Sequence, residues 1–358
     1  MYADLRTLQG DALSNLDYLA ARLHGRRSRM AEGERLDALC RIRTIEEYAR
    51  TIFPEKEFLG IADLQRQLIE EFIEELSHIK AQLTRAESHL IEWTPVRFEA
   101  ENLKVLLRSS ITKVNPEEAA VHLVAVPGLK SAQVHALAIA GSVTDFLRLL
   151  ESGPIKRSLE KAIREYGEDA RPFFFEAAID RGYLAELVAR FKALSSRDRE
   201  EVGNLIRNEA DIFHLVLMLR GRFNYGLGSD QLLSMHVPGA AISYSTFADM
   251  LNDNDLLTAV NRVVMRVLDP LPFEGGQGDL SIPVTVLERL AWNRYLRIAN
   301  MTFRKSHMGF GAVVAHLVIR RIEIANLITV SEGIRAGMDP DAIRVRTIPR
   351  ADTEGAHV

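Results

Sequence analysis

The sequence predicts an all-α protein built from three pseudo-symmetric helical repeats closed around an axis. Three observations lead there. Apolar residues recur at three- and four-residue steps over long stretches, strand-like alternation is nearly absent, and a short signature returns twice at one constant offset. The composition permits such a fold, because 358 residues that are 47% hydrophobic and 26% charged can bury a sizeable core.

At the N-terminus, Met1-Tyr2-Ala3-Asp4-Leu5 lacks the basic flank and continuous apolar run of a signal peptide, and Asp11 and Asp17 interrupt the next stretch. A cytoplasmic chain is the expectation. From Leu23 to Ile52, Arg26, Arg27 and Arg29 precede a series of short helical pieces. Leu64, Leu68, Phe72, Leu76, Ile79 and Leu83 then form the stripe of an amphipathic helix, with Glu70, Glu71, Glu74, Glu75 and Lys80 between them. A helix over Phe58 to Trp93 is predicted, roughly 54 Å long at 1.5 Å per residue. Two similar stretches run from Arg171 to Arg222 and from Val284 to Ala336, each broken once. Pro95, Gly203 and Gly309 are the expected breaks or kinks, since Pro removes a backbone donor and Gly weakens a helix interior. Short helices are expected at Val143 to Leu150 and at Tyr244 to Leu251, after the turns Val126-Pro127-Gly128 and Val237-Pro238-Gly239.

The repeat sets the architecture. Glu99-Ala100-Glu101-Asn102-Leu103, Asp211-Ile212-Phe213-His214-Leu215 and Glu323-Ile324-Ala325-Asn326-Leu327 stand 112 residues apart, from 99 to 211 to 323. Their flanks keep the register: Arg108 meets Arg220, and Asn115-Pro116, Leu227-Gly228 and Asp339-Pro340 coincide as helix ends. One unit is a long helix, a second long helix, a turn and a cluster of short helices. The third unit stops soon after Ile343, before its cluster, and Leu23 to Ile52 has the character of the missing part. A last repeat completed by the first segment closes the chain upon itself.

The remaining features exclude whole classes of function. With 45 Lys and Arg against 49 Asp and Glu, the chain has no electrostatic footprint for nucleic acid. Cys40 is alone, so neither a disulfide framework nor a thiolate metal site is available. No run reaches the roughly 18 apolar residues of a membrane span; Ala312 to Ile319 contains His316 and ends at Arg320 and Arg321. Gly275-Gly276-Gln277-Gly278-Asp279 lacks the Lys-Ser or Lys-Thr of a phosphate loop and reads as a connector. The histidines show no helical zinc spacing, and Ser142 and Ser331 lack a nucleophile elbow. No catalytic, metal or cofactor-binding residue is expected.

Phe98-Glu99-Ala100-Glu101-Asn102-Leu103-Lys104-Val105-Leu106-Leu107-Arg108, and Ile322-Glu323-Ile324-Ala325-Asn326-Leu327 with Glu332-Gly333-Ile334-Arg335-Ala336-Gly337, resemble the repeated signature of the C/d subunit family of V/A-type ATPases. Tyr18-Leu19-Ala20-Ala21-Arg22-Leu23 is similar to that family's N-terminal segment, and the middle copy departs with Phe213 and His214. The resemblance implies a non-catalytic central-stalk protein, a funnel-shaped socket of three helical domains. It implies a seat on the membrane rotor ring, with the central shaft held inside, and ATP-driven or ATP-forming ion transport by the whole complex. The corresponding domains are 1–115 with the segment that completes the third, 116–228 and 229–358.

Two residue sets stand out. In the signature, Glu99 and Asn102, Asp211 and His214, and Glu323 and Asn326 lie three apart on one helix face. They are suited to cap a neighbouring helix or to bond buried backbone at each junction. Arg108, Lys113, Arg220, Arg222 and Arg335 gather at the ends of the second long helices, where cations complement the helix dipole. Their functional reading is a charged face that steers ring or shaft partners. The rival reading of the chain is a helical-repeat adaptor binding peptides outside an ATPase, which needs an open solenoid.

Overall fold

The computed structural model describes residues 18–113, 115–121, 123–124, 126, 131–252, 284–306 and 309–348, and the regular elements among them are helical, with no strand. Residues 18–27 form α1, followed by α2 (Glu34–Cys40) and α3 (Ile45–Ile52). Next come α4 (Ile61–Lys80), α5 (Arg85–Ile91), α6 (Val96–Thr112), α7 (Pro116–Val121), α8 (Ser131–Ala138) and α9 (Val143–Leu149). Helices α10 (Pro154–Tyr166), α11 (Pro172–Lys192), α12 (Ser196–Leu219), α13 (Ser229–Leu233) and α14 (Tyr244–Leu251) follow. The last helices among the described residues are α15 (Val284–Lys305), α16 (Phe310–Arg335) and α17 (Pro340–Arg346). The expected Gly275–Asp279 connector, the turn after Val126, His307 and the segment before Tyr18 lie outside the described residues.

Two breaks differ from the expected pattern. The single helix expected over Phe58 to Trp93 is two, because Thr84 opens a new one. Its hydroxyl accepts the Glu87 N–H while the Glu87 carboxylate accepts the Thr84 N–H at 2.7 Å. Gly203 lies buried inside α12, and the break falls earlier, where the Ser195 hydroxyl takes the Asp198 N–H at 3.1 Å. A hydroxyl or carboxylate that satisfies a helix's free N–H groups outweighs the modest cost of an interior glycine. Pro95 and Gly309 do stand at helix starts, as N-caps of α6 and α16.

The chain divides into two compact units. Unit 1 comprises Met1–Thr94, Leu194–Leu205 and Tyr295–Val358; unit 2 comprises Pro95–Ala193 and Ile206–Arg294. In unit 1, Leu64, Leu68 and Phe72 of α4 are buried, and α4 packs on α16. In unit 2, Leu106, Leu107, Phe146, Leu159, Phe175 and Ile179 share one apolar cluster drawn from α6, α9, α10 and α11.

Within these units the second long helix of each repeat is tied to the first long helix of another. Arg108 of α6 grips Glu176 of α11 with two parallel hydrogen bonds, at 2.8 and 2.9 Å. Arg220, just after α12, grips Glu288 of α15 in the same way, at 2.6 and 2.7 Å. Both partners shift by the repeat length, 108 to 220 and 176 to 288. In the third instance Glu332 of α16 replaces the arginine and accepts from Gln65 of α4 at 2.9 Å.

Three short helices match one another as closely. Thr44, Ser142 and Ser243 cap α3, α9 and α14 by accepting the N–H three residues on, at 3.2, 3.0 and 3.1 Å. Four residues after each cap stands an aromatic with no exposed surface: Tyr48, Phe146 and Phe247. The α3 member lies against α16, where the Tyr48 hydroxyl donates to the Leu327 carbonyl at 2.7 Å. Arg344 of α17 forms an ion pair with Asp37 of α2.

Candidate functional site

The signature residues hold backbone. Asn102 donates through its amide to the Val124 carbonyl at 2.6 Å and accepts the Val124 N–H at 2.8 Å. Asn326 makes the same pair of bonds to Ile348, both at 2.8 Å. In each case the held residue lies 22 positions downstream. His214 accepts the N–H of Val237, 23 positions on, at 3.0 Å. All three side chains are buried, and each fixes an irregular segment whose polar backbone has lost water. The acidic partners act alongside: Asp211 accepts the Ile242 N–H at 2.9 Å, and Glu323 accepts the N–H of Ala31, in the N-terminal segment. Glu99 is half-buried, and burial together with the charge of Glu151 pushes its carboxyl up.

The helix-end cations divide. Arg222 points inward, donating to the carbonyls of Leu227 and Leu251 and to the Ser229 hydroxyl at 3.1, 2.6 and 2.7 Å. Arg108 and Arg220 stay 60% and 46% exposed while chelated by Glu176 and Glu288. Arg335 is 41% exposed and pairs with Glu332 on its own helix. Lys113 is exposed and caps α6 in the left-handed conformation at φ 54°.

One cluster carries no repeat signal. Glu75 of α4, only 7% exposed, accepts from Arg26 of α1 and from His316 Nε2 of α16, both at 2.8 Å, with the Arg320 guanidinium 3.5 Å away. Burial opposes the charge on Glu75, but the His316 bond and the two arginines outweigh it and hold its pKa at about 2. The corresponding places in the other repeats are Leu187 and Ala299. Arg26, Glu75, His316 and Arg320 border a cavity of about 990 Å³ in unit 1, which Met30, Leu39 and Leu327 line on its apolar side. The missed partners Glu176 and Glu288 had a signal, since they too are 112 apart. Glu75 had none.

The arrangement is suited to holding helices and presenting charged helix ends. Among the described residues there is no cluster of three His, Cys, Asp or Glu able to hold a metal, and no helix long and apolar enough to cross a membrane.

A family model described as ATP synthase (C/AC39) subunit matches residues 19–346. Similar curated proteins include the C subunit of the A-type ATP synthase of Methanosphaera stadtmanae, 24% identical over 252 residues that cover 69% of this chain and 64% of the relative. Its namesake from Methanothermobacter thermautotrophicus is 25% identical over 249 residues, again 69% of this chain and 64% of the relative. The match thus spans less than two thirds of those two relatives. The protein of the same name from Haloquadratum walsbyi is 24% identical over 358 residues, covering 92% of this chain and 97% of the relative.

Proposed function

The chain belongs to the ATP synthase (C/AC39) subunit family, and from that membership we propose that it acts as a non-catalytic socket of the central stalk, coupling a membrane rotor ring to the central shaft. Its place is on the cytoplasmic side, peripheral to the membrane through the ring. The work it serves is ATP-driven or ATP-forming ion transport by the whole complex.

The observation that carries this reading is the cyclic order of helix pairs. Helix α6 is tied to α11, α12 to α15, and α16 back to α4. That order is what three repeats closed into a ring would require, and it supports the reading of a socket for a shaft. Domains 1–115, 116–228 and 229–358 are the units of this socket, with α2 and α3 supplying the third unit's short helices. The match of α3 to α9 and α14 in cap, aromatic and burial supports that assignment.

The partner-facing cations are Arg108, Lys113, Arg220 and Arg335, which remain exposed at the helix ends; Arg222 serves the fold. Such charges steer assembly, and their effect falls as salt rises, because exposed charges are screened over about 8 Å at physiological ionic strength. The test is co-purification of the tagged chain from membranes at low and moderate salt. Shaft and ring proteins are expected to come down together, less so for the double variant Lys113→Glu, Arg335→Glu at unchanged helicity. Recovery of neither partner overturns the socket, and unchanged recovery by the variant overturns this placement of the interface.

A further inference from the structure

The middle backbone clamp is titratable and the other two are not. An asparagine amide offers a permanent donor and a permanent acceptor, and Asn102 and Asn326 use both. His214 meets the Val237 N–H with Nε2, so that nitrogen is the unprotonated one and Nδ1 carries the hydrogen. Its ring lies flat on that of His236, with centroids 4.7 Å apart and planes 3° from parallel. His236 in turn directs Nε2 at the Ile242 carbonyl, 2.9 Å away, and there it must donate. The two imidazoles are 0% and 6% exposed.

The surroundings offer little to a second proton. From α12, Asp211 stands 3.7 Å from His214 Nδ1, but its Oδ1 is already engaged by the Ile242 N–H. From α11, the Arg181 guanidinium donates to the His236 carbonyl at 3.1 Å and brings positive charge. From α14, Phe247 packs on both rings and Tyr244 meets His236 edge-on. A proton on His214 Nε2 would turn an acceptor toward the Val237 N–H into a donor facing a donor. Protonating both histidines would lay two cations face to face.

We propose that the His214–His236 stack is an acid-released latch, which binds the segment Val237–Leu251 to α12 at neutral pH and frees it when the histidines take up protons. Burial pushes both imidazoles below the ordinary 6.5; it outweighs the opposing pull of Asp211 on His214 and of the Ile242 carbonyl bond on His236, and the His236 charge and Arg181 add to it. The closed latch therefore binds fewer protons than the open one between 6.5 and the lowered values. It is fully favoured above about 6.5 and is lost as pH falls below that point. One short-helix cluster of the three responds to acid, and the amide-clamped two do not. The latch stands on local geometry and holds whatever partner the chain has.

Amide hydrogen exchange on the full chain between pH 7.5 and 5 tests this, corrected for intrinsic rates. Protection at Val237 and Ile242 is expected to fall by about 10-fold per pH unit for each proton taken up below 6.5, while Val124 and Ile348 stay constant. A flat Val237 profile, or an equal fall at Val124 and Ile348, overturns the latch. His236→Gln keeps a donor for the Ile242 carbonyl and removes one titrating ring, so the slope at Val237 is expected to halve; an unchanged slope overturns the role of the stack. Titration of the two imidazole C2 protons in the wild-type chain gives an answer independent of any variant. Both midpoints are expected below 6.5, and either one above it overturns the proposal.

Discussion

Asn102 and Asn326 are buried polar residues whose worth lies in what their removal would strand. Truncating either to alanine leaves one backbone N–H and one C=O without partners inside the protein, at a cost of about 1–3 kcal/mol for each stranded group. Asn102→Ala and Asn326→Ala are each expected to destabilise the chain by about 2–4 kcal/mol. The check is denaturant unfolding, and a loss below about 0.5 kcal/mol would assign both residues to something other than the clamp. These positions were legible because they return at a fixed spacing on a helix face. Their partners Val124 and Ile348 were not, since they sit in irregular chain that no periodicity marks. Glu75 was read only as part of a polar helix face, although it is nearly inaccessible. Its partners come from α1 and α16, and a pairing made only by tertiary folding leaves no local pattern.

Among the elements, the short helices close tightly on the ends of the long ones at two equivalent glycines. A Cβ on Gly333 would lie 2.6 Å from Ile343 Cγ1, and one on Gly221 would run into the Leu232 side chain. Gly333→Ala is therefore expected to cost about 1–3 kcal/mol by overpacking. Gly153→Ala, where nothing lies within 4 Å, is the control. Thermal unfolding separates the two, and equal midpoints would mean that α17 shifts away freely. Periodicity revealed the long helices, because their buried stripes repeat over many turns. It misplaced two breaks, since capping by Thr84 and Ser195 acts through single hydroxyls that a hydropathy pattern does not register.

For the whole molecule, the repeat offset pointed to a cyclic plan, while the ties between repeats had to be seen: two arginine–glutamate grips and one glutamine–glutamate bond. The dependence of α16 on residues far back in the chain yields a further expectation. A chain beginning at residue 53 should expose the α16 surface that Tyr48 covers and lose thermal stability, and a separate peptide of residues 18–52 should restore it in trans. Failure of the peptide to bind, measured by calorimetry, would show that α3 is not an independent insert. The Tyr48 to Leu327 bond spans 279 residues. At roughly 5–20 residues per second of synthesis, α3 emerges from the ribosome about 14–56 s before its partner exists. Over that interval its apolar side has no native cover, so this contact can form only once residue 327 has been made. Contacts of such wide sequence separation carry a larger loop-closure cost than local ones, so the α3 contact is expected to form late in folding.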